Sequence, residues 1–174
     1  MRKSMLASAM LALSFGTAAA PLGAASYYLP SASARILAMQ NAERARLGVA
    51  PLQWDAGLAA AAASYGPTLA RLGRLQHSPK QLRPGQHENL WMGTHGAFSP
   101  EQMVGAWIAE RAYYRPGVFP YVSRTGNWSD VGHYTQMVWR GTTHVGCAIY
   151  PTGGWDYLIC RYSPPGNVDG RRVS

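Results

Sequence analysis

Gly132-His133-Tyr134-Thr135-Gln136-Met137-Val138-Trp139-Arg140, followed by Thr143-His144-Val145-Gly146-Cys147, is the stretch on which the fold turns. By residue type it sets an ionisable histidine at a glycine turn, then a β-prone run, then a cysteine. Downstream, residues 145–150 and 155–162 are β-prone runs around Gly153-Gly154, a two-residue hairpin signal. Counted outward from a Thr152–Trp155 pair, Cys147 meets Cys160 at a non-hydrogen-bonded position. There the Cα atoms lie roughly 4.5 Å apart, within the span of a disulfide. Two free buried thiols are the alternative. The stretch therefore predicts three closing strands, beginning near Tyr134, Val145 and Trp155.

Upstream, the signals are helical. Residues 31–47 form the first predicted helix, with Ser31 or Ser33 as cap, Gly48 as stop, and Ile36 and Leu47 towards the core. An extended link, residues 49–54, leads to Asp55, which caps a second helix over residues 56–72 that Gly66-Pro67 is expected to kink or split. Residues 79–86 form a polar loop. Ser99-Pro100-Glu101-Gln102 is the clearest helix start, joining a serine cap, proline at the first position and glutamine three residues after the cap. That helix is expected over residues 100–114, with Met103, Trp107 and Glu110 on one face. A glutamate among apolar anchors is unusual, since a surface glutamate would more often sit opposite them. Helices first and an antiparallel sheet last imply an α+β fold.

The first 25 residues read as a secretory signal peptide: Arg2 and Lys3, an apolar run, then small residues to Ala24-Ala25. The run is shorter than the roughly 18 residues of a membrane span, so no transmembrane segment is expected after its removal. Residues 26–174 then form a single domain with residues 163–174 as its tail, and losing Arg2 and Lys3 takes the formal net charge from +8 to +6. Of 16 basic residues 14 are arginines, scattered along the chain, which argues against nucleic-acid binding. One disulfide and a signal peptide place the protein outside the cytoplasm, secreted or periplasmic. No motif sets an oligomeric state.

An ordered series of motifs resembles the CAP superfamily of cysteine-rich secretory, antigen 5 and pathogenesis-related class 1 proteins. Leu75-Gln76-His77-Ser78 is similar to its LxHS segment, Glu88-Asn89-Leu90 to GENL, and Trp107-Ile108-Ala109-Glu110 to WxxE. Residues 132–139 resemble GHYTQxVW, and residues 160–170 resemble CxYxPPGNxxG. The resemblance implies a three-layer α-β-α sandwich with a central antiparallel sheet. It also implies a cleft tetrad of His77, Glu88, Glu110 and His133, in which His77 and His133 hold zinc or another divalent cation. Neutral imidazoles suit zinc, and nearby carboxylates can orient them. A lipid, sterol or peptide ligand is expected with the metal.

The alternatives are a metal-dependent extracytoplasmic hydrolase or protease, with Glu88 or Glu110 as base, and a non-catalytic extracellular interaction or defence protein. The two His–Glu pairs could also serve structure alone. Ser78 stands beside His77 but on an extended segment would face away from it. His87 replaces the glycine of GENL and reads as an exposed loop histidine, or else a third metal ligand. His95 and His144 have no ligand spacing, and Asn127-Trp128-Ser129 fits a glycosylation sequon. Two cysteines suggest a minimal, bacterial-type member.

Overall fold

Helix α1, Ala32–Arg46, starts where the Ser31 hydroxyl accepts the Ala34 N–H. The computed structural model describes residues 31–174; the signal-peptide expectation for residues 1–25 lies outside the described residues. Ile36, Gln40, Glu43 and Arg44 form the buried stripe of α1, so this face is more polar than its apolar anchors suggested. Arg44 explains why. Its guanidinium donates to the carbonyls of Ala50, Met137, Trp139 and Thr142, tying the segments on either side of the future cleft to one helix. Burial lowers its pKa to about 10, which leaves it charged at neutral pH.

Strand β1, Gln53–Trp54, is the short ordered part of the extended link. Helix α2, Ala56–Leu72, is capped by Asp55 and ends at Gly73 in the left-handed region. It runs unbroken through Pro67, so the expected split does not occur: the first turn after Gly66 keeps helical geometry although one N–H is missing. Helix α3, Pro100–Ala109, carries the reciprocal Ser99–Gln102 capping box and continues as a 3-10 turn at Glu110–Ala112.

Two sequence expectations fail here. The run beginning at Gly132 is not a strand; Gly132–Met137 is helix α4, preceded by a 3-10 turn at Trp128–Val131. Conversely, His87, expected in an exposed loop, begins strand β2, His87–Thr94. Strands β3, His144–Pro151, and β4, Trp155–Ser163, form the expected hairpin with Cys147 opposite Cys160. Their Cα atoms are 4.1 Å apart and the disulfide is formed.

The sheet order is β1-β3-β4-β2. The β3–β4 and β4–β2 pairs are antiparallel, but β1 joins β3 in parallel, so the sheet is mixed rather than wholly antiparallel. Side-chain alternation along β4 splits the core in two. Leu158, Cys160 and Tyr162 pack with Ile36, Trp107 and Tyr134 of the α1, α3 and α4 layer. Tyr157 and Ile159 pack with Ala62, Tyr65 and Leu69 of α2. The α2 layer sits very close: a Cβ on Gly146 would lie 2.2 Å from the Ala59 nitrogen and 2.4 Å from the Asp55 carbonyl oxygen. Three layers, helix–sheet–helix, are the result.

Candidate functional site

The first half of the site is built on the α2 side of β2. Residues beyond α2 bring His77 back to the sheet, anchored where the Tyr65 hydroxyl donates to the Gln76 carbonyl. Glu88, 1% exposed, faces the same side as Leu90. Its Oε1 meets His77 Nδ1 at 2.8 Å and accepts the Ser78 N–H at 2.9 Å. Opposite it in the β2–β4 register stands Arg161, also buried, with an amino nitrogen 3.1 Å from Glu88 Oε2 and its guanidinium over the Tyr65 ring. Burial alone would raise the Glu88 pKa. The hydrogen bonds from His77 and Ser78 and the Arg161 charge outweigh it and hold the carboxyl below its ordinary value.

The second half lies on the opposite side. Asn89 donates to the His133 carbonyl and the Tyr162 hydroxyl. Glu110, at the end of α3, accepts the backbone N–H groups of His133 and Tyr134 through Oε2, each at 2.9 Å. Its Oε1 contacts His133 Nδ1 at 2.5 Å. The α4 helix thus receives its N-terminal carboxylate from a residue more than twenty positions earlier, and the β-prone residues 134–137 fold as helix beside it. The His133 ring stacks on Trp107, with centroids 5.7 Å apart.

His77, Glu88 and His133 line one depression of about 260 Å³, with Asn89, Trp128 and Asn167. Asn167 adopts a positive φ, accepts from the Thr135 hydroxyl and donates to the Gly132 carbonyl. His77 with Glu88 and His133 with Glu110 thus form two His–carboxylate pairs, and both rings, with Glu88, line the depression. In each pair Nδ1 is the nitrogen engaged, so a neutral ring keeps the Nε2 lone pair for the cleft. Two such nitrogens suit an open divalent-cation site. Among the described residues no group of three or more His, Cys, Asp or Glu side chains has metal-holding geometry.

His87 is not the exposed loop residue expected. It begins β2, is half-buried, and lines the same depression. Its Nδ1 is buried with no hydrogen-bond partner. Burial, then the charges of Arg83 and His77, lower its pKa to about 4. It remains neutral at pH 7, but no three-donor cluster forms around it. Ser78 is buried and its hydroxyl has no partner, so it does not engage His77. His95 instead pairs with Asp156 at 2.7 Å, and His144 with the Thr143 hydroxyl at 2.8 Å, both away from the cleft. Sequence reasoning missed Arg161 as a site residue. A lone charge between Cys160 and Tyr162 in a buried strand was its signal, and the unrecognised β2 hid its partner.

The helix-flanked sheet and the chain's sequence together place it in the class of CAP domains. The chain belongs to the cysteine-rich secretory protein family, whose profile matches residues 37–162. It is 40% identical over 133 residues to pathogenesis-related protein 1B of Nicotiana tabacum, spanning 75% of this chain and 74% of that protein. It is 37% identical over 134 residues to a PR-1 type pathogenesis-related protein of Sambucus nigra, covering 76% and 75%. Among solved structures it resembles NaASP2, determined with Zn2+ (TM-score 0.70, 24% identity, 87% of this chain and 89% of that one). It also resembles venom allergen-like protein 4 of Schistosoma mansoni (TM-score 0.59, 16% identity, 82% and 97%). At these identities the structural likenesses establish the fold.

Proposed function

We propose that this protein is an exported, secreted or periplasmic binding module whose cleft takes a divalent cation, zinc foremost, through Nε2 of His77 and His133. One observation carries the reading: each ring is clamped at Nδ1 by its own glutamate while both rings line one depression. Such partners fix tautomer and orientation and raise the basicity of the free nitrogen. A relative of the same fold was determined with Zn2+. When bound, the cation would act as a Lewis acid towards an anionic or carbonyl oxygen. The chain's own residues position it, with Glu88 and Glu110 orienting the rings and Arg161 keeping Glu88 ionised.

Export is supported by the disulfide, by the signal-peptide pattern of residues 1–25 and by the secretory and pathogenesis-related kin. Size bears on the ligand. The depression, about 260 Å³, falls below the roughly 300–1,000 Å³ that encloses a drug-sized molecule. It therefore favours a cation plus one end of a polar ligand, such as a peptide, over a whole lipid or sterol. The hydrolytic alternative gains nothing from Ser78, whose hydroxyl is buried and unpaired.

Elemental analysis of the purified protein beside a His77→Ala/His133→Ala variant tests the reading. About one zinc per wild-type chain and none in the folded variant is expected. Equal metal in both samples would overturn the ligand assignment.

A further inference from the structure

The cleft has neighbours. A second depression, about 370 Å³, shares His87 and Asn167 with the first and is bounded by Lys80 and Arg83. A third, about 560 Å³, shares Pro165 with the second and carries Arg140, Arg171 and Arg172 beside Trp139. The three follow one another along the segment Pro164-Pro165-Gly166-Asn167. No aspartate or glutamate lines the second or third. None of these five cations forms an ion pair among the described residues. In the first depression Glu88 is already committed to His77, Ser78 and Arg161.

The walls are held in place. Arg140 donates its backbone N–H to the Val173 carbonyl at 2.7 Å, and the Arg171 carbonyl accepts from Phe119. Val173 is fully buried. The Thr142 hydroxyl donates to the Pro164 carbonyl, and the Gly166 N–H to the Gln136 side chain. Arginines on a fixed backbone, lining a groove without counter-charge, present a positive potential that favours anions.

From this we infer that the protein binds a linear acidic polysaccharide, a polymer bearing a carboxylate on its sugar rings, laid along these three depressions. Succession in a line fits a polymer better than a single headgroup, and concave walls do not fit a planar bilayer. Guanidinium forks match carboxylates in two-point hydrogen bonds. Pro165, shared by the second and third depressions, and Pro164 give apolar faces between them, and the exposed Trp128 gives another in the first, each suited to the C–H face of a sugar ring. The third depression contains no strand residue, so it offers no sheet edge to which an acidic peptide could add. The inference does not rest on the metal.

Affinity electrophoresis and calorimetry of the disulfide-bonded protein against polygalacturonate, with EDTA present, test it independently of the cation. Binding that weakens with salt is expected. Arg140→Gln/Arg172→Gln should weaken it about tenfold or more, and Lys80→Gln, in the second depression, should weaken it measurably. Arg71→Gln/Arg74→Gln, with the same loss of charge outside the three depressions, should change it less than about twofold. Equal losses in the two double variants would mean that net charge alone is read, and would overturn the inference. So would absence of binding, or equally tight binding of polyglutamate or of anionic phospholipid vesicles.

Discussion

Glu110 holds His133 twice over. One carboxylate oxygen meets the ring Nδ1 at 2.5 Å, and the other accepts the His133 backbone N–H at 2.9 Å. The same oxygen takes the Tyr134 N–H, so a single side chain orients an imidazole and starts the helix that carries it. Glu110→Ala should cost about 2 kcal/mol of stability by urea denaturation, because two backbone donors lose their acceptor. It should also lower zinc affinity by about 10- to 100-fold in a calorimetric titration, as loss of an orienting partner does. Glu110→Gln, which keeps one acceptor oxygen, should recover part of the stability. A Gln variant no better than Ala would show that the carboxylate charge, rather than its geometry, is what matters.

His87 makes the fold sensitive to mild acid. Its folded pKa is about 4, below the ordinary 6.5, so between those values the unfolded chain takes up a proton that the folded chain refuses. The contribution is complete above about pH 6.5 and declines as pH falls towards 4, by up to about 3 kcal/mol. Glu88, also lowered, adds a further loss as pH falls through the ordinary carboxylate range. Urea midpoints at pH 7, 5.5 and 4.5 should show a flatter decline for His87→Gln than for wild type. Parallel declines would remove His87 as the cause.

Arg44 should be among the least replaceable residues of the fold. Four carbonyls from three segments converge on its guanidinium in a buried setting. Arg44→Met would strand them and is expected to cost about 3–5 kcal/mol, read from the shift in denaturation midpoint. Arg44→Lys, a point donor without the planar fork, should recover less than half.

Gly146 tests how tightly α2 lies on the sheet. Alanine there would bring Cβ within 2.2–2.6 Å of backbone atoms of Asp55, Leu58 and Ala59, which no rotamer change can relieve. A loss of about 3 kcal/mol is expected for Gly146→Ala, at the upper end for overpacking. Gly153→Ala, with nothing near its Cβ, serves as control and should stay within about 0.5 kcal/mol. A tolerated Gly146→Ala would mean that α2 can slide.

Local chemistry alone makes several elements legible. The Ser99 capping box and Pro100 specified the start of α3, and the Gly153-Gly154 turn specified a register that brings Cys147 to Cys160. Glu110 stood out because a carboxylate shared a face with Met103 and Trp107, and in the fold it turns to the His133 backbone. By contrast, β2 escaped detection. Its residues Glu88-Asn89-Leu90 are buried on both faces of the sheet and show no alternation of polar and apolar residues.

The stretch from Gly132 to Arg140 divides the two kinds of information. Its residue types, and its place in an ordered series of motifs, suffice to set the family and the layered class of fold, and they single out His77, Glu88, Glu110 and His133 as residues to look for. Those depend on side-chain identity and spacing, which are properties of the chain alone. That the stretch is a helix, that His87 faces the cleft, and that Arg161 lies beneath Glu88 were decided by packing across the sheet. The carboxylate that caps α4 comes from the 3-10 turn after α3, and the arginine that steadies Glu88 comes from β4. Neither partner is near in sequence, so local preference for a strand had nothing to resist it until the chain had folded.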